Sequence, residues 1–162
     1  METGRLMCEC GARTSDGVGC EAVYHQILAA EQLDPTLGRW HTIVVCAFLL
    51  QHPSRGLPKF LDGQFRMLQL YRDQGLEALL RVAAHQRCRN RHSIQTGYDL
   101  APLEPYTALP KGGSPDRFPY GFLDMRDLVG DFGRDDYREY EQRLDAIVEE
   151  TLSASLAENV AE

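Results

Sequence analysis

The sequence predicts an all-α domain, a bundle of about five helices behind an irregular N-terminal knuckle. Apolar residues recur at helical spacing over most of the chain, and the interruptions between these runs fall at Pro and Gly. Residues 1–19 carry Cys, Gly, Ser and Thr but few apolar groups, which suits a knuckle and not a regular element.

The first helix starts near Cys20, with Val23, Tyr24, Ile27, Leu28 and Glu31 on one stripe, and Asp34-Pro35 ends it. The second begins at Pro35 or Thr36 and runs to Gln51, because His52-Pro53 disfavours a further helical residue. Its stretch from Ile43 to Leu50 is apolar on every side, the pattern of a buried central helix. The β-branched Ile43, Val44 and Val45 leave a buried strand as the competing reading, against which the length of the run argues. Leu61, Phe65, Leu68 and Tyr71 define a third helix, closed by Asp73-Gln74-Gly75. Leu76, Leu79, Leu80, Ala83 and Arg87 define a fourth. Residues 93–134 hold most of the prolines and read as a long ordered loop with one helical turn at Asp124 to Val129. A last amphipathic helix spans Asp135 to about Ser155, with Tyr137, Tyr140, Leu144, Ile147, Val148 and Leu152 facing inward.

With no internal repeat and no convincing linker, the 162 residues are expected to form a single domain: knuckle 1–19, helical core 20–92, loop region 93–134 and C-terminal helix 135–156. A chain of this length buries about 68–70% of its unfolded surface, so a metal is optional for global stability. The composition, 43% hydrophobic and 25% charged, is that of a globular protein. A net charge of -7 opposes broad attraction to nucleic acid or to an anionic membrane, since phosphate binding needs clustered Lys and Arg. Met1 to Leu6 lacks the apolar stretch of a signal peptide, and Ile43 to Leu50 is too short to cross a bilayer. A cytoplasmic setting is the expectation, and in a reducing cytosol the five cysteines would not persist as disulfides.

Cys8-Glu9-Cys10-Gly11 and Cys20 place three thiols in a segment with little core of its own. Thiolates bind zinc strongly in tetrahedral geometry, and a glycine after the second cysteine lets the backbone turn around an ion. The fourth ligand follows from helix geometry. Helices one and two, joined near Asp34-Pro35, form an antiparallel hairpin, so Cys20 at the start of one lies beside His52 at the end of the other. His41 shares a face with His52 but lies roughly 16 Å away along the helix, so one ion takes only one of them. The expected set is Cys8, Cys10, Cys20 and His52, with His41 and His25 in reserve. The bland alternative is a set of free cysteines near the terminus, with His52 merely ending its helix. With every position filled by protein, such a site is structural, because catalytic zinc keeps one position open.

The residues Cys10-Gly11, Cys20, Arg39-Trp40-His41 and Leu50-Gln51-His52-Pro53 resemble a bacterial family of unknown function. That family shows C-x-x-C-G, a further Cys, a helix beginning at a His, and a Q-H-P ending. The resemblance covers residues 7–53 well and the remainder loosely. It implies a small helical protein with Cys and His grouped toward the N-terminus, and it implies no activity. Met7 stands where the family's first Cys falls, Cys8 comes one position later, and Phe48 occupies a slot where Tyr is usual.

A second constellation, His85, Cys88 and His92, falls at i, i+3 and i+7 on the fourth helix, together with Arg81. If the His85 and Cys88 pair or the Cys88 and His92 pair joined a carboxylate from the loop or the final helix, an open three-ligand site suited to activating water would result. Histidines on a polar face among Arg87, Arg89 and Arg91, cations favoured at a helix C-terminus, are the simpler reading; the same arginines would also suit a phosphate or an acidic segment. His41, beside Trp40 on a mainly apolar helix, reads as a buried histidine hydrogen-bonded to a neighbour, and Cys46 as core. There is no Gly-rich phosphate loop, G-x-S-x-G elbow, H-E-x-x-H helix or Rossmann fingerprint. The leading expectation is a zinc-stabilised helical module that binds a protein or small ligand. The alternative is a metal-dependent hydrolase or thiol-linked transferase using His41 or the second constellation.

Overall fold

The computed structural model describes residues 7–14, 16–90, 97–111, 115, 117–128 and 137–157. Among them are five α-helices and no strand: α1 (Cys20–Leu33), α2 (His41–Gln51), α3 (Pro58–Gln74), α4 (Leu76–Asn90) and α5 (Arg138–Ala157). The all-α expectation holds, and α2 is the central helix. It packs on α3 and α5 with α1 alongside, and Ile43, Val44, Ala47, Phe48 and Leu50 are all buried. A helix apolar all round is stable only where every face meets another element. The core is one cluster that runs from Val23 and Ile27 of α1 through Phe65 and Leu68 of α3 to Leu144, Ile147 and Leu152 of α5. Full burial of each such side chain stabilises the fold by about 1.5–3 kcal/mol.

Two boundaries differ from expectation. The segment after Asp34-Pro35 is not the start of α2: Leu37–Trp40 forms a separate 3-10 turn. Asp34 explains this, since its carboxylate accepts the Thr36 N–H (2.9 Å) and its carbonyl accepts the Leu37 N–H (3.1 Å), building a tight turn before the helix begins. In the loop region the single expected turn at Asp124 to Val129 is one of two, Ala101–Leu103 and Phe122–Leu128, the second beginning earlier than expected. Val129, the first residues of the expected last helix, Asp135 and Asp136, and His92 lie outside the described residues. Between α3 and α4 the chain reverses on Gly75, whose φ of 86° favours glycine and ends α3 cleanly.

The described parts of the loop region are held by buried and partly buried side chains of the helices they cross. Gln69 of α3 donates to the Thr107 carbonyl (2.7 Å) and accepts from the Thr107 N–H (3.0 Å). Gln86 of α4 makes the same paired contact with Asp99, both at 2.8 Å. Arg66 holds the carbonyls of Leu103 (3.3 Å) and Tyr106 (3.1 Å). Each amide satisfies one backbone donor and one acceptor, as a neighbouring strand would. At the end of α2 the buried Gln51 donates to the Tyr120 carbonyl (3.1 Å) and to the Thr151 hydroxyl of α5 (2.9 Å), tying the central helix to two distant segments. No helix among the described residues is long and apolar enough to cross a membrane.

Replacing Gln51 with Leu keeps the volume but leaves the Tyr120 carbonyl without its donor. A loss of about 1–3 kcal/mol is expected, read as a lower urea midpoint with an unchanged denaturant slope.

Candidate metal centre

Cys8, Cys10, Cys20 and His52 come together, with their ligand atoms all within 4.8 Å of one another. Two helix ends place two of them: Cys20 is the first residue of α1, and His52 caps the end of α2. The knuckle delivers the other two. The Cys8 N–H bonds the Ala12 carbonyl and the Gly11 N–H bonds the Cys8 carbonyl, both at 2.9 Å, closing a tight turn in which Gly11 has φ 83°. That conformation is open to glycine at little strain, so the Gly after Cys10 is what folds both sulfurs inward.

Neighbours of the cysteines fasten this turn from outside. Glu9, between the two knuckle cysteines, accepts from the Ser54 N–H (3.1 Å) and hydroxyl (2.6 Å), just after His52. Glu21, next to Cys20, pairs with Arg55 at 2.7 Å. The Cys10 carbonyl accepts the Phe118 N–H at 3.0 Å. Asp16 of the knuckle pairs with Arg126, and the guanidinium holds its carboxyl down to about 2.

The geometry at the centre could hold a metal ion. Bonds of about 2.3 Å to sulfur put neighbouring sulfurs of an ideal zinc tetrahedron about 3.8 Å apart; the Cys10 and Cys20 sulfurs stand at 3.6 Å, and His52 Nε2 lies 3.2 Å from Cys8 Sγ. The tautomer of His52 follows from its other nitrogen. Nδ1 lies 2.9 Å from the Phe48 carbonyl, which only accepts, so Nδ1 carries a proton and Nε2 is the nitrogen that faces the sulfurs. Phe48 stacks on the same ring with centroids 4.3 Å apart, and Phe122 meets it edge-on, so the imidazole is gripped on two sides. His52, Cys10 and Cys20 are buried and Cys8 is partly so.

The electrostatics concentrate negative charge on one sulfur. The Cys20 hydrogen bond, then His52, holds the Cys10 thiol well below its ordinary value. The Cys20 thiol moves up because it donates to Cys10 and is buried, and burial pushes Cys8 up. With its charge gathered on Cys10, the cluster offers one thiolate and two thiols, whose protons a bound divalent cation would displace.

The reserves do not join the cluster. His25 is exposed on α1, and His41 stands at the opposite end of α2 from His52. The second constellation does not assemble among the described residues: His85 Nε2 pairs with Asp99 at 2.9 Å, Cys88 is exposed, and His92 lies outside them. His41 is hydrogen-bonded as expected, with a partner not named from the sequence, but its ring is half-exposed and not buried, because it stands at the outer end of α2. Its Nδ1 lies 2.6 Å from Glu31 Oε2, and the Glu31 side chain is only 3% exposed. The signal was present in α1, where Glu31 occupies the stripe of Val23 and Ile27: a carboxylate on a core-facing stripe needs a partner.

Glu31 raises the His41 pKa above 6.5, against a smaller lowering by burial. A raised folded value means that this contact stabilises the fold fully below the unfolded pKa and ceases to do so as pH rises through the folded one. The stability difference between wild type and His41→Asn is therefore expected to be largest below pH 6.5 and to shrink in alkaline solution, with a His41 NMR titration midpoint above that value. A midpoint below it would contradict the contact.

No curated protein and no solved structure matches the chain. A family model does, and over far more than the N-terminal motif region, so that loop, α4 and α5 fall within the match: the chain belongs to the family of unknown function DUF5946, matched over residues 6–155.

Proposed function

We propose that this chain is a zinc-stabilised helical module in which Cys8, Cys10, Cys20 and His52 hold one structural Zn²⁺, and that it acts by binding a partner protein or a small ligand. The observation that carries this reading is the convergence of three sulfurs and one correctly oriented imidazole nitrogen within 4.8 Å. Three thiolates and a neutral imidazole select a borderline-soft ion, and Zn²⁺ accepts their tetrahedral arrangement without geometric strain, whereas Mg²⁺ and Ca²⁺ require oxygen ligands. Four protein ligands leave no coordination position for water or substrate, which favours a structural role over a catalytic one. Anchoring by Glu9, Glu21 and the Phe48 carbonyl supports the same role, since it pre-positions the ligands. A reducing, cytoplasmic setting is part of the proposal, because it keeps the sulfurs available to the ion.

Binding must displace protons from Cys8 and Cys20, so retention of the ion weakens as pH falls. Elemental analysis of the purified chain is expected to give one zinc per chain, lost in Cys10→Ser and Cys20→Ser and on acidification. Hydrogen exchange in Cys20→Ser is expected to accelerate over the knuckle and not in α3 or α5. A chain that takes up no zinc, or a knuckle whose exchange is unchanged by Cys20→Ser, would refute the reading.

A further inference from the structure

At the end of α2 remote from His52, a cavity of about 270 Å³ opens between α2, α3 and α4. Its floor is apolar, formed by Val45 and Cys46 of α2, Met67 of α3 and Ala83 of α4, while His41 and Arg87 also line it. Two features of its polar part are unexplained by folding alone. Glu31 is buried behind His41, with one oxygen on the imidazole and the other, Oε1, without a hydrogen-bond partner. Burying a carboxylate is unfavourable unless it is paired and hydrogen-bonded, and here the partner is a half-exposed ring that lines the cavity. Arg87, near enough to act electrostatically on that ring, has no carboxylate partner among the described residues.

We propose that this cavity binds a small organic carboxylate, its headgroup held by Arg87 and His41 and its apolar body lying over Val45, Cys46 and Met67. Glu31 fixes the imidazole by accepting from Nδ1, so Nε2 is left to meet the ligand, the positioning role a carboxylate has toward any functional histidine. With His41 and Glu31 paired, Arg87 is the uncompensated charge, which selects an anion, and a planar guanidinium matches a carboxylate in two parallel hydrogen bonds. The volume equals about nine waters at roughly 30 Å³ each, which limits the ligand to a similar number of heavy atoms. Cys46 is a wall and not a nucleophile, since burial pushes its thiol up to about 12. The proposal deepens the reading of the chain as a ligand-binding module and rests on that reading, though not on the metal ligands, since His52 lies roughly 9 Å along α2 from Cys46 and roughly 16 Å from His41.

Titration of the zinc-loaded full chain with hexanoate, hexanamide and hexylamine, followed by NMR shifts of α2 and α4 amides and by calorimetry, tests this directly. Hexanoate is expected to bind saturably with a dissociation constant on the order of 1 mM or tighter, and about tenfold more tightly than the amide or the amine. Arg87→Gln is expected to weaken hexanoate by about tenfold while leaving hexanamide unchanged. Val45→Phe, which fills the floor, is expected to abolish binding of both, with thermal melting confirming that the variant is folded. Equal affinity for hexanoate and hexanamide, an Arg87→Gln variant that binds hexanoate as wild type does, or shifts that fail to saturate would each overturn the proposal. Zinc measured on the same samples separates the two failures: a chain that holds zinc but not hexanoate refutes the cavity alone, and one that holds no zinc refutes the module.

Discussion

The position of one imidazole governs the N-terminal half of this molecule. His52 is the residue at which α2 stops, and its Nδ1–H is committed to the helix's own Phe48 carbonyl. The ring is therefore an extension of the helix end rather than a freely rotating side chain, and the knuckle has a fixed point to close upon. The contacts that flank the four clustered residues follow from this: Glu9 meets Ser54, Glu21 meets Arg55, and each draws a cysteine toward the same corner. Hydrogen bonds through partly exposed groups of this kind are individually modest, yet together they remove the rotational freedom that a coordination site has to suppress.

The fold itself rests on different forces. The helices meet around an apolar cluster that extends well away from the sulfurs, and the polar side chains inside it act as staples for backbone that has no regular partner. Gln69 and Gln86 receive the loop at Thr107 and Asp99, Gln51 receives it at Tyr120, and the prolines between them keep the segment from adopting an alternative helix. This is how the described parts of the connection, which contain no strand, are held against α3 and α4.

What was legible in the sequence was whatever depends on periodicity or on helix ends. The all-round apolar run of α2 announced a central helix, Gly75 announced the break between α3 and α4, and the antiparallel pairing of α1 and α2 placed Cys20 beside His52 although the two are far apart in the chain. Pairings between side chains and distant backbone were not legible, because nothing local marks them. Gln69 and Gln86 read as ordinary polar helix residues until Thr107 and Asp99 stand opposite them. The 3-10 turn at Leu37–Trp40 was missed because Asp34 competes for backbone donors through its side chain, an effect that helical periodicity does not register. His85 likewise found a carboxylate from the loop, Asp99, and helix spacing carries no information about that loop.

Gln51 and His52 are consecutive, yet one reaches toward α5 and the other toward the sulfurs. Adding or deleting a single residue anywhere earlier in α2 would swing everything beyond it by about 100° and slide it 1.5 Å along the axis. Both attachments would be lost in one step, and no change of side chain could restore either. The central helix is thus held to a fixed length, and only an insertion in the connections around it leaves both attachments in place.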